Sequence, residues 1–139
     1  PTGDPSIHQS DMTVEFPRPW YRAEKNRKRQ WRWSESDADI VLHNPYAVPM
    51  EIEIRGEWTA QTDRTARLTQ QGEILWEETV NLSPREWRLT GIRLEPGENR
   101  LRVESDDSNT VANAGDSRRL AVCLLEFSIK GRLLDPADP

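Results

Sequence analysis

The chain has 139 residues, a length that fits one domain, and folding at that size buries about two thirds of the unfolded surface without help from a metal or disulfide. Charged residues make up 31% and hydrophobic ones 35%, and no apolar run approaches the roughly 18 residues needed, which excludes a membrane-spanning helix within these residues. A net charge of −5 and a single cysteine, Cys123, exclude an intrachain disulfide and a cysteine-clustered zinc site and argue against a whole-domain nucleic-acid binder.

Residues 1–14 are polar and proline-punctuated and read as an irregular lead-in or linker, with a short strand expected near Met12 and Phe16. They carry no basic stretch followed by an apolar core, so no signal or transit peptide is expected here. Residues 15–130 form the folded body, and residues 131–139 an acidic, proline-containing tail or linker. Early in the body, residues 22–33 carry six basic side chains and one acidic one. That run is +5 and leaves −10 for the remainder.

The body then shows short strands of period two separated by turn residues, with no amphipathic helix. Ile40 to Leu42 is followed by a turn at His43-Asn44-Pro45-Tyr46. Next, Met50, Ile52, Ile54 and Trp58 alternate with Glu51, Glu53, Arg55 and Glu57, which places one set in a core and the other in water. Residues 64–70 and 73–80 flank Gln71-Gly72 as a hairpin. Trp87 and Leu89 change phase to Ile92 and Leu94, a slip that a bulge at Thr90-Gly91 absorbs. Glu95-Pro96-Gly97-Glu98 suits a type II turn and predicts a second hairpin, with Leu101 and Val103 inward. The last strand, residues 120–130, is expected to be central, with Ala121, Cys123, Leu125, Phe127 and Ile129 on its inward face. About eight strands with a long polar excursion before the last one predict an all-β, two-sheet antiparallel β-sandwich of jelly-roll type, with an immunoglobulin-like sandwich as the alternative.

Three stretches together carry a resemblance: Trp20-Tyr21 followed by Trp31-Arg32-Trp33-Ser34; Leu94-Glu95-Pro96-Gly97-Glu98-Asn99-Arg100-Leu101; and Asp116-Ser117-Arg118-Arg119-Leu120-Ala121-Val122. In order and spacing they resemble the galactose-binding-like jelly-roll accessory modules of bacterial cell-envelope glycan-assembly proteins and membrane glycosyltransferases. The resemblance spans about residues 20–130, and it speaks more to fold than to ligand. It implies a noncatalytic sandwich that handles or senses glycan in a periplasmic or other extracytoplasmic envelope setting. Membrane contact would come only through a parent chain.

No Gly-x-Ser-x-Gly elbow, His-Glu-x-x-His or phosphate loop is present, and only His8 and His43 are available for histidine chemistry. No catalytic residue is assigned and no enzyme is expected. Six tryptophans need a use: Trp58, Trp76 and Trp87 follow the core phase, whereas Trp20, Tyr21, Trp31 and Trp33 flank charged segments and read either as core or as a platform for sugar rings. Asp116, Arg118 and Arg119 are the candidate hydrogen-bonding partners of such a sugar, with a structural clamp as the other reading of the arginines. The basic run next to aromatics raises single-stranded nucleic acid or an anionic surface, and a solvated loop is the simpler reading. Asp106, Asp107, Asn109, Asn113 and Asp116 make structural calcium a candidate, although their spacing matches no calcium-loop pattern; no other cofactor is expected. His43 reads as an exposed turn residue and Cys123 as a small buried hydrophobe.

The leading expectation is therefore a noncatalytic carbohydrate-binding or accessory module of a larger envelope protein. A spacer or interaction domain that packs its aromatics on the parent chain is the first alternative. A glycan-processing enzyme, which needs two carboxylates across a groove, is the second.

Overall fold

The computed structural model describes residues 6–8, 12–105, 110–111 and 119–134. The elements among them are all strands. Two short strands, β1 (Ser6–His8) and β2 (Thr13–Glu15), come from the proline-rich lead-in and its border. There follow β3 (Glu24–Lys25), β4 (Gln30–Trp33), β5 (Ala38–Asn44), β6 (Met50–Thr59), β7 (Arg64–Gln70) and β8 (Glu73–Val80). The series ends with β9 (Arg85–Leu94), β10 (Gly97–Ser105), β11 (Thr110–Val111), β12 (Arg119–Leu120) and β13 (Cys123–Leu133).

One sheet runs β3-β4-β13-β6-β9, with β1 also paired to β13; the other runs β2-β5-β10-β7-β8; β11 and β12 form a small ribbon. Taking β4 to β10 and then β13 as eight successive strands, the first, last, third and sixth make one sheet and the second, seventh, fourth and fifth the other. That interleaving of two Greek keys is a jelly roll. The fold class read from the sequence is the one observed.

Strand β6 explains how the sandwich closes. Its even-numbered Met50, Ile52, Ile54 and Trp58 are each at most 1% exposed and meet Ile40, Leu42, Leu68, Leu101 and Val103 from the other sheet's strands in one core. Each such side chain contributes roughly 1.5–3 kcal/mol by leaving water. The odd-numbered Glu51, Glu53, Arg55 and Glu57 line the outer face.

The predicted β7–β8 hairpin is present at the expected boundaries, with Gln71 and Gly72 both at positive φ (51° and 83°). The predicted bulge is present too: Thr90 and Gly91 stand where β6 offers only Glu53, and Gly91 has φ 72°.

Two expectations are corrected. Pro96-Gly97 does turn the chain, and Asn99 ties the turn by accepting from the Glu95 N–H and donating to the Glu95 and Gly97 carbonyls. The strands on either side do not form a hairpin, however, because β9 belongs to one sheet and β10 pairs with β5 and β7 in the other. The second correction concerns β13, which is central as predicted but not uniform in phase. Glu126 adopts φ 53° and the register on β6 slips between Leu125 and Ser128. Leu124 therefore faces the core before the bulge, as do Phe127 and Ile129 after it, whereas Cys123 and Leu125 turn to the outer face.

Candidate functional site

Bulged β13 gives the outer face of the first sheet an apolar end. There Trp33, Leu120 and Cys123 form a second buried cluster, flanked by the partly exposed Tyr21, Trp31 and Leu125. Alternation along β4 sends Trp31 and Trp33 to this face and Arg32 to the opposite one. Antiparallel pairing then builds a single row across four strands: Trp31 opposes Leu125, Leu125 opposes Glu57, and Glu57 opposes Glu86. With strands about 4.8 Å apart, that row is about 14 Å long.

At its Glu57–Glu86 end the row opens into a groove of about 510 Å³ lined by Arg55, Glu57, Glu86, Arg88, Glu126 and Ser128, with Gly56, Trp76 and Trp87 completing the wall. The β3–β4 turn, braced by Asn26 Oδ1 accepting from the Lys28 and Arg29 N–H groups, carries Arg29 over β13 to Glu57. That bond, seconded by Glu126, holds the Arg29 guanidinium above its usual range. Arg88 donates to Glu53 at 2.9 Å and holds that carboxyl below the usual carboxylate range, helped by Arg55 and opposed by burial. The groove thus presents fixed ions and hydrogen-bonding groups beside an aromatic shelf.

The opposite outer face is different. There Asp39 accepts from Arg100 (2.9 Å) and Arg102 (3.0 Å), and Glu104, Arg67 and Glu77 continue the ladder across β10, β7 and β8. Arg100 is held above its usual range chiefly by the bond to Asp39. His43, expected in a turn, sits in β5 and meets Glu15 across β2 at 3.2 Å.

Of the candidate ligand residues, the structure brings Tyr21, Trp31 and Trp33 into one cluster, with Arg119 exposed next to Leu120. Trp20 is separated from them. It is 6% exposed in the main core, donates Nε1–H to the Asp39 carbonyl at 2.7 Å and stands edge-on to Phe16. Trp33 is 9% exposed beneath its neighbours. Neither offers a ring face to a ligand, which leaves Tyr21 and Trp31 as the partly exposed aromatics among these candidates. Tyr21 is oriented by its hydroxyl, which donates to Glu35 at 3.3 Å. Trp76, expected in the core, is half-buried at the sandwich edge.

Asp116 and Arg118 lie outside the described residues, as do Asp106, Asp107, Asn109 and Asn113, the remaining calcium candidates. Among the described residues no cluster of three or more His, Cys, Asp or Glu side chains is placed to hold a metal ion. Sequence reasoning did not single out Glu57, Glu86, Glu126 or Arg88. Their meeting at one groove depends on the pairing of β6 with both β9 and β13, and the alternation in β6 alone marked Glu57 only as solvated.

No protein-family model matches the chain, and no curated protein matches it in sequence. Solved structures of similar shape include the CBM36-1 domain of a multidomain xylanase from the hindgut metagenome of Trinervitermes trinervoides, at 9% identity and TM-score 0.40, covering 96% of this chain and 99% of that one. A family 35 carbohydrate-binding module from Clostridium thermocellum aligns at 13% identity and TM-score 0.47, covering 90% and 96%. A CBM36 carbohydrate-binding module solved with calcium and xylotriose aligns at 12% identity and TM-score 0.41, covering 91% and 98%. At these identities a ligand for this chain has to be argued from its own side chains.

Proposed function

We propose that this domain is a noncatalytic glycan-binding module whose contact surface is the row from Trp31 and Tyr21 to Glu57 and Glu86 on the outer face of the β4-β13-β6-β9 sheet. The observation that carries this reading is the row itself, a partly exposed indole and phenol at one end and, at the other, Glu57 held by Arg29 and Arg88 held by Glu53, beside Glu86. Indole and phenol rings stack on the apolar faces of pyranoses, with a worth of roughly 0.5–1.5 kcal/mol per ring by analogy with aromatic pairs. Carboxylates and arginines that are already oriented by one another hydrogen-bond hydroxyl groups with little further ordering. A row about 14 Å long suits a short oligosaccharide laid across the strands.

Arg119 belongs to the proposal through its place beside Leu120, and Asp116 and Arg118 through the sequence alone. A bacterial envelope setting, and a parent chain that carries this domain, rest on the same motifs. Calorimetric titration with a panel of neutral and acidic bacterial oligosaccharides tests the reading. Saturable binding to one class, weakened about tenfold or more in Trp31→Ala protein that still unfolds cooperatively, is expected. A flat response across the panel from folded protein rejects it and favours the same aromatic patch as a docking face for another domain.

A further inference from the structure

Beside β4 lies a smaller cavity of about 180 Å³, lined by Phe16, Ala23, Gln30, Trp31, Arg32, Leu124, Glu126 and Phe127. Its lining is mixed, with apolar groups from Phe16, Leu124 and Phe127 beside the polar Gln30, Glu126 and the Arg32 guanidinium. Arg32 donates Nη1–H to the Tyr21 carbonyl at 2.9 Å, and its Cζ lies 4.3 Å from the Phe16 ring centroid. Among the described residues no carboxylate lies within ion-pair distance of it, and its Nε and Nη2 make no hydrogen bond. By contrast, Arg29, Arg55 and Arg88 each meet a glutamate. Burial pushes the guanidinium below its usual range, the expected effect of taking a cation from water without a counter-charge.

Glu126, the one carboxylate in the lining, is already engaged. It accepts from the Gln30 N–H at 2.9 Å and pairs with Arg29 at 3.5 Å. The pocket's uncommitted charge is therefore positive, and its open donors form the planar fork that matches a carboxylate.

We propose that Arg32 and the rings of Phe16 and Phe127 form a subsite for the carboxylate of an acidic sugar unit. The proposal rests on the glycan-binding reading above and specifies its substrate class. Trp31, which belongs to the outer row, and Glu126, which lines its groove, also line this pocket, and the proposal seats the acidic unit there next to units held on the row. An incoming carboxylate supplies the counter-charge that the fold leaves out, and a bond between ions in a partly dry pocket is worth more than a surface pair.

The test uses the whole domain and three probes: a glucuronic-acid-containing oligosaccharide, the same oligosaccharide with its carboxyl group reduced to the alcohol, and inorganic phosphate. The expected result is an affinity for the acidic form about tenfold or more above that of the reduced form. Arg32→Gln brings the acidic form down to the affinity of the reduced one, and Arg32→Lys, which keeps the charge without the fork, restores only part of the difference. Cooperative unfolding of each variant separates loss of the subsite from loss of the fold. If both oligosaccharides bind wild-type protein equally, the subsite is overturned while the glycan-binding reading stands. Binding of neither overturns both. Displacement of the acidic oligosaccharide by phosphate at comparable concentration makes this a general anion site and overturns the assignment to a sugar carboxylate.

Discussion

Trp58 and Trp76, which belong to different sheets, donate their indole N–H groups to the same carboxylate oxygen, Oε2 of Glu78, at 2.8 Å each. Arg85 meets the other oxygen at 3.1 Å. Trp58 is 1% exposed, so its N–H has no water to turn to. Glu78→Ala leaves that donor unsatisfied and is expected to lower stability by about 1–3 kcal/mol in urea unfolding. Glu78→Gln, which keeps an acceptor oxygen, is expected to lose less. Equal losses for the two would show that the carboxylate's charge, and not its acceptor geometry, joins the sheets here.

Gly131 faces Ile52 across β13 and β6 where the strands approach closely. A Cβ there would stand 2.8 Å from the Glu51 carbonyl oxygen and 2.9 Å from Ile52 Cγ2. Backbone and a fully buried side chain cannot move aside without parting the sheet. Gly131→Ala is expected to destabilise by about 1–3 kcal/mol, read from the denaturation midpoint. Unchanged stability would mean that the strands separate freely at this point.

Gln71 occupies the first central position of the β7–β8 turn at φ 51°, followed by Gly72 at 83°. Both positive angles suit a type I′ turn, which favours Asn-Gly. The Gln71 side chain is exposed. Gln71→Asn is therefore expected to stabilise by about 0.5–1 kcal/mol and raise the melting midpoint. A fall in the midpoint would contradict the turn assignment.

Glu53 is held below its ordinary value first by the hydrogen bond from Arg88 and then by Arg55 and Lys130. A carboxyl whose folded pKa is depressed adds stability above its unfolded pKa and loses it as pH falls through the folded value. Arg88→Met is expected to reduce stability near neutrality and to flatten the acid limb of the stability–pH curve. An acid limb as steep as the wild type's would show that Arg88 is not the group depressing Glu53.

Local chemistry made much of this fold readable. The alternation in β6, the Gln71-Gly72 hairpin and the phase slip at Thr90-Gly91 each leave a mark on neighbouring residues, and each is found as read. Pro96-Gly97 marked a turn equally well, but turn chemistry does not say which sheet receives the next strand. The bulge in β13 left no mark, because its left-handed residue is Glu126 rather than a glycine. That one residue decides that Cys123 and Leu125 face outward with Trp31 and Trp33. The aromatic part of the candidate site was thus visible as composition, while its separation from Trp20 and its continuation into Glu57 and Glu86 depend on long-range pairing.

The central claim is that glycan lies along the row from Trp31 to Glu86. Amide and indole chemical-shift mapping by NMR during titration with the tightest-binding oligosaccharide of the panel tests it most directly. The account predicts shifts concentrated at the Trp31 indole, Tyr21, Leu125, Glu57 and Glu86. Shifts confined to the opposite face, around Asp39, Arg100 and Arg102, would contradict it.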